Sequence, residues 1–367
     1  MPPLRIGVNA LYLIPGGVGG TEIYLRGLLR ALGDLDPVNH YTVFTNRETG
    51  ADLLPPRKNF ALARQWVRGS SRPARILWEQ TVLPLELLRH RVDVLLNGGF
   101  TAPLACACPQ VTVFHDLQHK RHPENFRWFD LPPWKFLLFW SAHISRLVVA
   151  DSAATAQDLA HYYRLDDAKI RVAPLGVDEV FFDLAPRRNP QPFLLAVSTL
   201  HPHKNLDGLL KAFAGFRKVH SEYRLIVCGI HGFFTGPLFE LRDRLGLADA
   251  VEFPGWIPRS ELHDLYRRAW AFVYPSLFEG FGLPVVEALA AGVPTACSNI
   301  EPLTSIADSA ALLFDPKDTS DLTSAMLRIT DDAVLRTELA AAGPRRAADF
   351  SWRATAEATL DALKSAI

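Results

Sequence analysis

Short apolar runs recur along this chain, several closing on a polar residue and most followed by a stretch of helical period. "RIGVNALYL", "YTVFTN", "VDVLLN", "VTVFHD" and "RLVVAD" form one series, and "FLLAVSTL", "RLIVCGI", "VEFPGW", "AFVYPS" and "VPTACS" form a second. A strand apolar over its whole length is covered on both faces, which is the condition of strands in parallel sheets. Strand–helix alternation of this kind predicts an α/β fold with helices on each side of parallel sheets.

Two series imply two domains, and 367 residues is long for a single core. The proline-rich passage "APLGVDEVFFDLAPRRNPQP", Ala173 to Pro192, separates them without clear periodicity and reads as a linker. One domain is placed at 1–172 and the other at 190–345. "FSWRATAEATLDALKSAI" then predicts a last helix capped by Ser351, which need not belong to the second domain. Lys+Arg and Asp+Glu number 39 each, so no bulk attraction to nucleic acid is expected, although local patches stay open. Cys106 and Cys108 form a lone C-x-C, while Cys228 and Cys297 lie in apolar runs. All four read as buried reduced thiols, which fits a cytoplasmic protein and predicts no metal. "MPPLRIGVNALYLIPGG" reads as a first strand entering a glycine turn rather than a signal peptide. No apolar run reaches the roughly 18 residues of a membrane span. "WKFLLFWSAHISRLVVA", Trp134 to Ala150, comes nearest. It reads as a core helix running into a buried strand, with a membrane-surface helix as the alternative.

Ligands of open parallel sheets bind outside the carboxyl ends of the strands, so two such sheets facing one another would line a cleft with these loops. In "PGGVGGTEIYL", Gly19 and Gly20 open the first helix. Backbone approaches a ligand closely there, beside free N–H groups; a plain turn is the alternative. His115 ends the strand of "VTVFHDL" and offers a near-neutral imidazole, or serves structure alone. In "STLHPHKNLDGLLKAF", Lys204 precedes a helix that Asn205 is expected to cap, a place where a cation and a helix start together attract phosphate. Thr199 offers a hydroxyl nearby; a solvated surface lysine is the plain alternative for Lys204. "SLFEGFGLPVVEALAAG" holds two acids, Glu279 and Glu287, around Gly280–Leu283. Pro284 suits the first turn of a short helix and Gly292 its end. The acids accept from hydroxyls and the intervening N–H groups bind negative oxygens. A sugar carried on a diphosphate has both kinds of group, whereas a helix-capping role for one glutamate is the structural alternative. Neither G-x-G-x-x-G nor G-x-x-x-x-G-K-[ST] occurs, which disfavours a dinucleotide oxidoreductase and a P-loop ATPase or kinase.

"FEGFGLPVVEALAAGVP" matches the E-x7-E region of the family 4 retaining glycosyltransferases, and the chain resembles that family along essentially its whole length. "GGTEIYLRGLLRAL", "VFHDL", "ADSAATAQDL", "KIRVAPLGVD", "VEFPGWIP" and "FSWRATAEATL" resemble its other landmarks in order. The resemblance implies the GT-B architecture of two Rossmann-like domains, an acceptor-binding N-terminal one and a donor-binding C-terminal one. It also implies that a helix at about 350–367 crosses back to the first domain. By the same resemblance Glu287 would hold the nucleotide ribose and Glu279 the donor sugar. Phe281, Gly282 and Leu283 would lend backbone near the sugar and phosphates. Lys204, with Gly19 and Gly20, would meet the diphosphate, and His115 the sugar near its reacting carbon. Many members carry an arginine five residues before that lysine, where this chain has Thr199; His201, His203 or a distant arginine would have to compensate. "PHKN" resembles the branch containing bacterial mannosyltransferases of polysaccharide assembly, which makes GDP-mannose the first expectation for the donor.

The expected reaction is hexose transfer, with retention and without metal or cofactor, to a hydroxyl of a saccharide or lipid-linked acceptor. A nucleotide-sugar epimerase of the same build, or a silent sugar-nucleotide-binding protein, are the competing readings. A cytoplasmic location is expected, and a neutral chain can still touch the inner face of a membrane through one basic or aromatic patch. The acceptor and the oligomeric state stay open.

Overall fold

All the apolar runs quoted above become strands. The computed structural model describes residues 2–17, 19–126, 128–230, 232 and 234–367. Two units divide the chain: residues up to Gly176 together with Ser351–Ile367, and Val177–Phe350.

In the first unit, β1 (Arg5–Ala10), β2 (His40–Thr45), β3 (Phe60–Arg64), β4 (Val94–Asn97), β5 (Gln110–Phe114), β6 (Leu147–Ala150) and β7 (Ile170–Val172) make a parallel sheet. Its order is β3-β2-β1-β4-β5-β6-β7. Helix α1 (Gly20–Leu35) follows β1, and α2 (Leu131–Ile144) leads into β6. The second unit holds a parallel sheet of β8 (Phe193–Val197), β9 (Arg224–Cys228), β10 (Val251–Gly255), β11 (Ala271–Tyr274), β12 (Thr295–Ser298) and β13 (Leu312–Phe314). Its order is β10-β9-β8-β11-β12-β13. The helices that matter here are α3 (Leu206–Phe216), α4 (Arg259–Arg268), α5 (Leu283–Ala290) and α6 (Ala333–Ala347). The last helix, α7 (Trp352–Ser365), packs in the first unit against α1. Its Ser351 accepts from the Ala354 N–H as an N-cap.

The central strands are buried from end to end, which explains their unbroken apolar character. β10 lies at a sheet edge, where the missing N–H of Pro254 costs no ladder bond. In the second unit Phe213 and Phe216 on α3 are fully buried under the sheet, and burial of each contributes roughly 1.5–3 kcal/mol.

Three expectations change in detail. The passage 173–192 is not bare linker: it carries short helical turns at Glu179–Phe182 and Ala185–Arg187 and enters the second unit at Val177. Cys106 and Cys108 are only half-buried, with their sulfurs 3.5 Å apart, whereas Cys228 and Cys297 are buried thiols. Helix α2 starts at Leu131, and Phe136 and Trp140 on one face are exposed while Leu137, Leu138 and Ala142 are buried. One face of α2 therefore serves the core. Among the described residues no helix is long and apolar enough to cross a membrane.

Candidate functional site

Strand order reverses between β1 and β4 in the first sheet and between β8 and β11 in the second. Crossovers leave to opposite faces at such a point, which opens a crevice at the carboxyl ends. Thr199 to Lys204 follow β8, and Leu277 to Gly282 follow β11. The Leu277 N–H donates to the His203 carbonyl at 2.8 Å and ties the two loops together. Across that tie, Lys204 Nζ donates to Glu279 Oε1 at 2.6 Å and reaches the Tyr274 hydroxyl at 3.4 Å. The Lys204 and Glu279 side chains are 13% and 9% exposed, deep enough that either charge alone would be costly. Each is the condition for burying the other.

Helix α5 begins at the same place. Gly282 has φ +109°, and a Cβ on it would lie 2.3 Å from Leu303 Cδ2, so both backbone and packing demand glycine. Pro284 occupies the first turn, where its missing N–H is harmless. Gly292, at φ +63°, closes the helix with its N–H on the Leu289 carbonyl. Val285 already donates to the Gly282 carbonyl at 2.9 Å and Pro284 has no N–H, which leaves the Gly282 and Leu283 N–H groups at the end where the helix dipole is positive. Phe281 and Leu283 bury their side chains, Phe281 against the Phe350 ring, so backbone is what they can offer a ligand.

Glu287 sits one turn into α5 and does not join the Lys204–Glu279 pair. Its Oε2 accepts from the Tyr266 hydroxyl at 3.1 Å, and its Oε1 lies 3.7 Å from Arg259 Nη1. Arg259 in turn binds Asp178 at 2.8 Å. Burial pushes the Glu287 carboxyl up to about 7, against the opposing pull of Arg259 and the Tyr266 hydrogen bond. Tyr274 feels the charge of both glutamates, and burial together with those charges holds its hydroxyl far above the usual phenol range. The two acids therefore bracket one tyrosine rather than share one partner.

One expectation beside Lys204 is corrected. Asn205 stands at the start of α3 but makes no side-chain cap; it takes a left-handed backbone (φ 52°) and its Nδ2 donates to the Pro316 carbonyl at 2.7 Å. Burial and the Lys204 charge hold the His201 imidazole below the usual range. The His203 ring stacks on it at 5.9 Å.

Gly19 and Gly20 lie in the first unit. Gly19 precedes α1 with φ 58° and ψ −126°, a conformation glycine adopts most readily. A Cβ added to either residue meets nothing within 4 Å, so packing within the chain does not require Gly20. His115 follows β5 and is buried, with Nδ1 2.6 Å from Asp151 Oδ2 and Nε2 3.0 Å from the Gly98 carbonyl. Burial alone would lower the imidazole pKa, but the charge and hydrogen bond of Asp151 and the Gly98 carbonyl outweigh it and raise it, while burial raises the Asp151 carboxyl. As folded, both ring nitrogens of His115 are committed to partners within the chain.

Tyr274, Tyr266, Arg259 and Asp178 surround the acids and carry no sequence signal as a set.

Residues 18–181 match the family model described as Glycosyltransferase Family 4, and residues 179–346 match Glycosyl transferases group 1. The chain is 35% identical over 175 residues to the O-antigen chain mannosyltransferase B of Escherichia coli, covering 47% of this chain and 46% of that protein. It is 27% identical over 425 residues to the D-inositol 3-phosphate glycosyltransferase 2 of Catenulispora acidiphila, covering 100% of this chain and 96% of the relative. For the Escherichia coli protein and three further bacterial mannosyltransferases, the alignment spans less than two thirds of the relative's own length. The fold is similar to that of the sucrose-phosphate synthase from Thermosynechococcus elongatus, with a TM-score of 0.80 at 19% identity over 99% of this chain and 98% of that one.

Proposed function

We propose, from the premise that the chain belongs to the family 4 glycosyltransferases of GT-B build, that it moves a hexose from a nucleotide diphosphate sugar to a hydroxyl with retention. The observation that carries this reading is the Lys204–Glu279 pair at the β8–β11 reversal, beside the amino end of α5. Breaking the anomeric bond builds negative charge on the departing diphosphate. Lys204 and the α5 N–H groups are the donors available to stabilise it, in surroundings where water is scarce. Glu279 orients the lysine and accepts sugar hydroxyls once phosphate draws the ammonium away. It acts as a positioning group rather than a nucleophile. No general base is assigned: as the family resemblance implies, the leaving phosphate oxygen would take the acceptor proton on the same face. No metal or cofactor takes part in this scheme.

The donor is GDP-mannose in this proposal; the name of the Escherichia coli mannosyltransferase supports the mannose, and the nucleotide follows from the resemblance of "PHKN". The acceptor is a saccharide or lipid-linked saccharide. The exposed Trp128, Phe129, Phe136 and Trp140 in the first unit support contact with the inner face of a membrane, where such an acceptor would lie. A thermal-shift panel of GDP-, UDP- and ADP-sugars tests the donor, since a ligand of the native state raises the midpoint by mass action. GDP-mannose is expected to give the largest shift, and a panel without any shift rejects the whole reading. Donor consumption that proceeds without acceptor and yields an isomer identifies an epimerase instead.

Gly20→Ala tests the first unit. The added methyl meets no protein atom, and alanine favours a helix over glycine by up to about 1 kcal/mol. Stability is therefore expected to hold or rise slightly. Turnover is expected to fall on the order of tenfold, about 1.4 kcal/mol of barrier, because the methyl occupies the space through which phosphate meets the backbone. Full activity in this variant removes the glycine loop from the site.

A further inference from the structure

The segment joining β4 to β5 brings two cysteines together. It is anchored on either side of them: the Leu104 N–H donates to Gln80 Oε1 at 2.8 Å, and the Pro109 carbonyl accepts from the Leu95 N–H at 2.9 Å. Between these anchors exposure alternates, with Ala105 and Ala107 exposed and Cys106 and Cys108 half-buried. Both thiols pack against the apolar cluster that holds Phe44, Leu83, Leu87 and Leu95. Their sulfurs lie 3.5 Å apart. Cys228 and Cys297, by contrast, are buried one each in β9 and β12.

A disulfide asks for Cα atoms within about 7 Å of each other and sulfurs about 2 Å apart. Residues two apart in a chain meet the first condition, since an extended chain advances about 3.3–3.6 Å per residue. The second asks for a further approach of about 1.5 Å, within reach of side-chain rotation in a segment that belongs to no helix or strand. A disulfide carries no charge and no donor, which suits sulfur resting on apolar side chains. The Cys108 S–H, helped by its N–H and opposed by burial, draws the Cys106 thiol down to about 7, and the same pairing pushes Cys108 up. Burial pushes Cys228 and Cys297 up to about 12, which leaves them unreactive at neutral pH. We propose that Cys106 and Cys108 form a reversible dithiol–disulfide site that exchanges with low-molecular-weight disulfides. The Cys106 thiolate attacks one sulfur of the small disulfide, forms a mixed disulfide and expels one thiolate, which takes up a proton. Cys108 then gives its proton to solvent and attacks the Cys106 sulfur, expelling the second thiolate, which is protonated in turn. Two protein thiols are oxidised to one disulfide, and one small disulfide is reduced to two thiols; excess thiol drives the exchange back. The pair precedes β5 and His115 follows it, so the two lie at opposite ends of that strand. The site does not rest on the proposed transfer reaction.

The full chain, equilibrated at pH 7 with mixtures of reduced and oxidised glutathione, quenched in acid and read by peptide mass spectrometry, tests this. The Cys106 and Cys108 thiols are expected to disappear together, with two hydrogens lost and no glutathione retained, while Cys228 and Cys297 stay free. Excess dithiothreitol should restore both thiols. Cys108→Ser is expected to halt with glutathione bound to Cys106, and Cys106→Ser to slow the reaction of Cys108 at least tenfold. The measurement on the parent decides by itself, so a folding defect in either serine variant does not shield the proposal. It is overturned if the parent halts at a mixed disulfide, if both thiols stay reduced in oxidised glutathione alone, or if Cys228 and Cys297 oxidise at the same rate. A stoichiometric soft metal ion that protects both thiols until a chelator removes it also overturns it, and makes the pair a metal site.

Discussion

Lys204→Met is expected to lower turnover roughly 100-fold, about 3 kcal/mol of barrier, the loss usual for one donor aimed at developing negative charge. The same change should destabilise the protein, because Glu279, at 9% exposure, loses its ammonium partner. Removing one partner of a buried pair costs about 3–5 kcal/mol, whereas removing both is often near neutral. Lys204→Met combined with Glu279→Gln should therefore recover most of the stability and none of the turnover. Urea unfolding and steady-state rates, measured on both variants, separate the two roles. Recovery of turnover in the double variant would mean that the lysine merely balances the glutamate; normal stability in the single variant would mean that the pair is not formed in solution.

What the sequence disclosed about the fold follows burial. Strands in the middle of the sheets are covered on both faces and are apolar throughout, so each was legible. The three strands without such a run, β3, β7 and β13, all lie at sheet edges. They show mixed exposure, and a half-exposed strand of three to five residues leaves too little pattern to separate it from a loop. The short helix after Gly282 was legible for a different reason: proline and glycine mark its two ends through backbone restriction alone.

The site was less legible, since its contacts are tertiary. Lys204 and Glu279 stand 75 residues apart, and only the pairing of β8 with β11 sets them side by side. Asn205 is a good capping residue by type, yet the left-handed turn at that position aims its amide at Pro316. His115 gave no sign that Asp151 and Gly98 would claim both of its nitrogens. A motif names the residues that meet; which of them already satisfy one another depends on side-chain directions that spacing does not encode.

Glu287→Gln is expected to alter nucleotide affinity and its dependence on pH together. With the folded carboxyl near 7 and an unfolded value near 4.5, the native state holds its proton more tightly. The corresponding stability is fully present below about pH 4.5 and is lost as pH rises through 7, by up to about 3 kcal/mol. Glutamine does not ionise, so the variant should match the parent in the acid range and exceed it in stability at pH 8. Binding should move the other way. An ionised carboxylate accepts ribose hydroxyls more strongly than an amide, and charged hydrogen bonds are worth about 1.5–3 kcal/mol. The parent should therefore bind nucleoside diphosphate more tightly as pH rises through 7, while the variant stays flat and falls 10- to 100-fold behind at pH 8. Calorimetric titrations at pH 5.5 and pH 8 distinguish this from a purely structural role, because a Glu287 that only holds Tyr266 would leave nucleotide affinity the same in both proteins at both values.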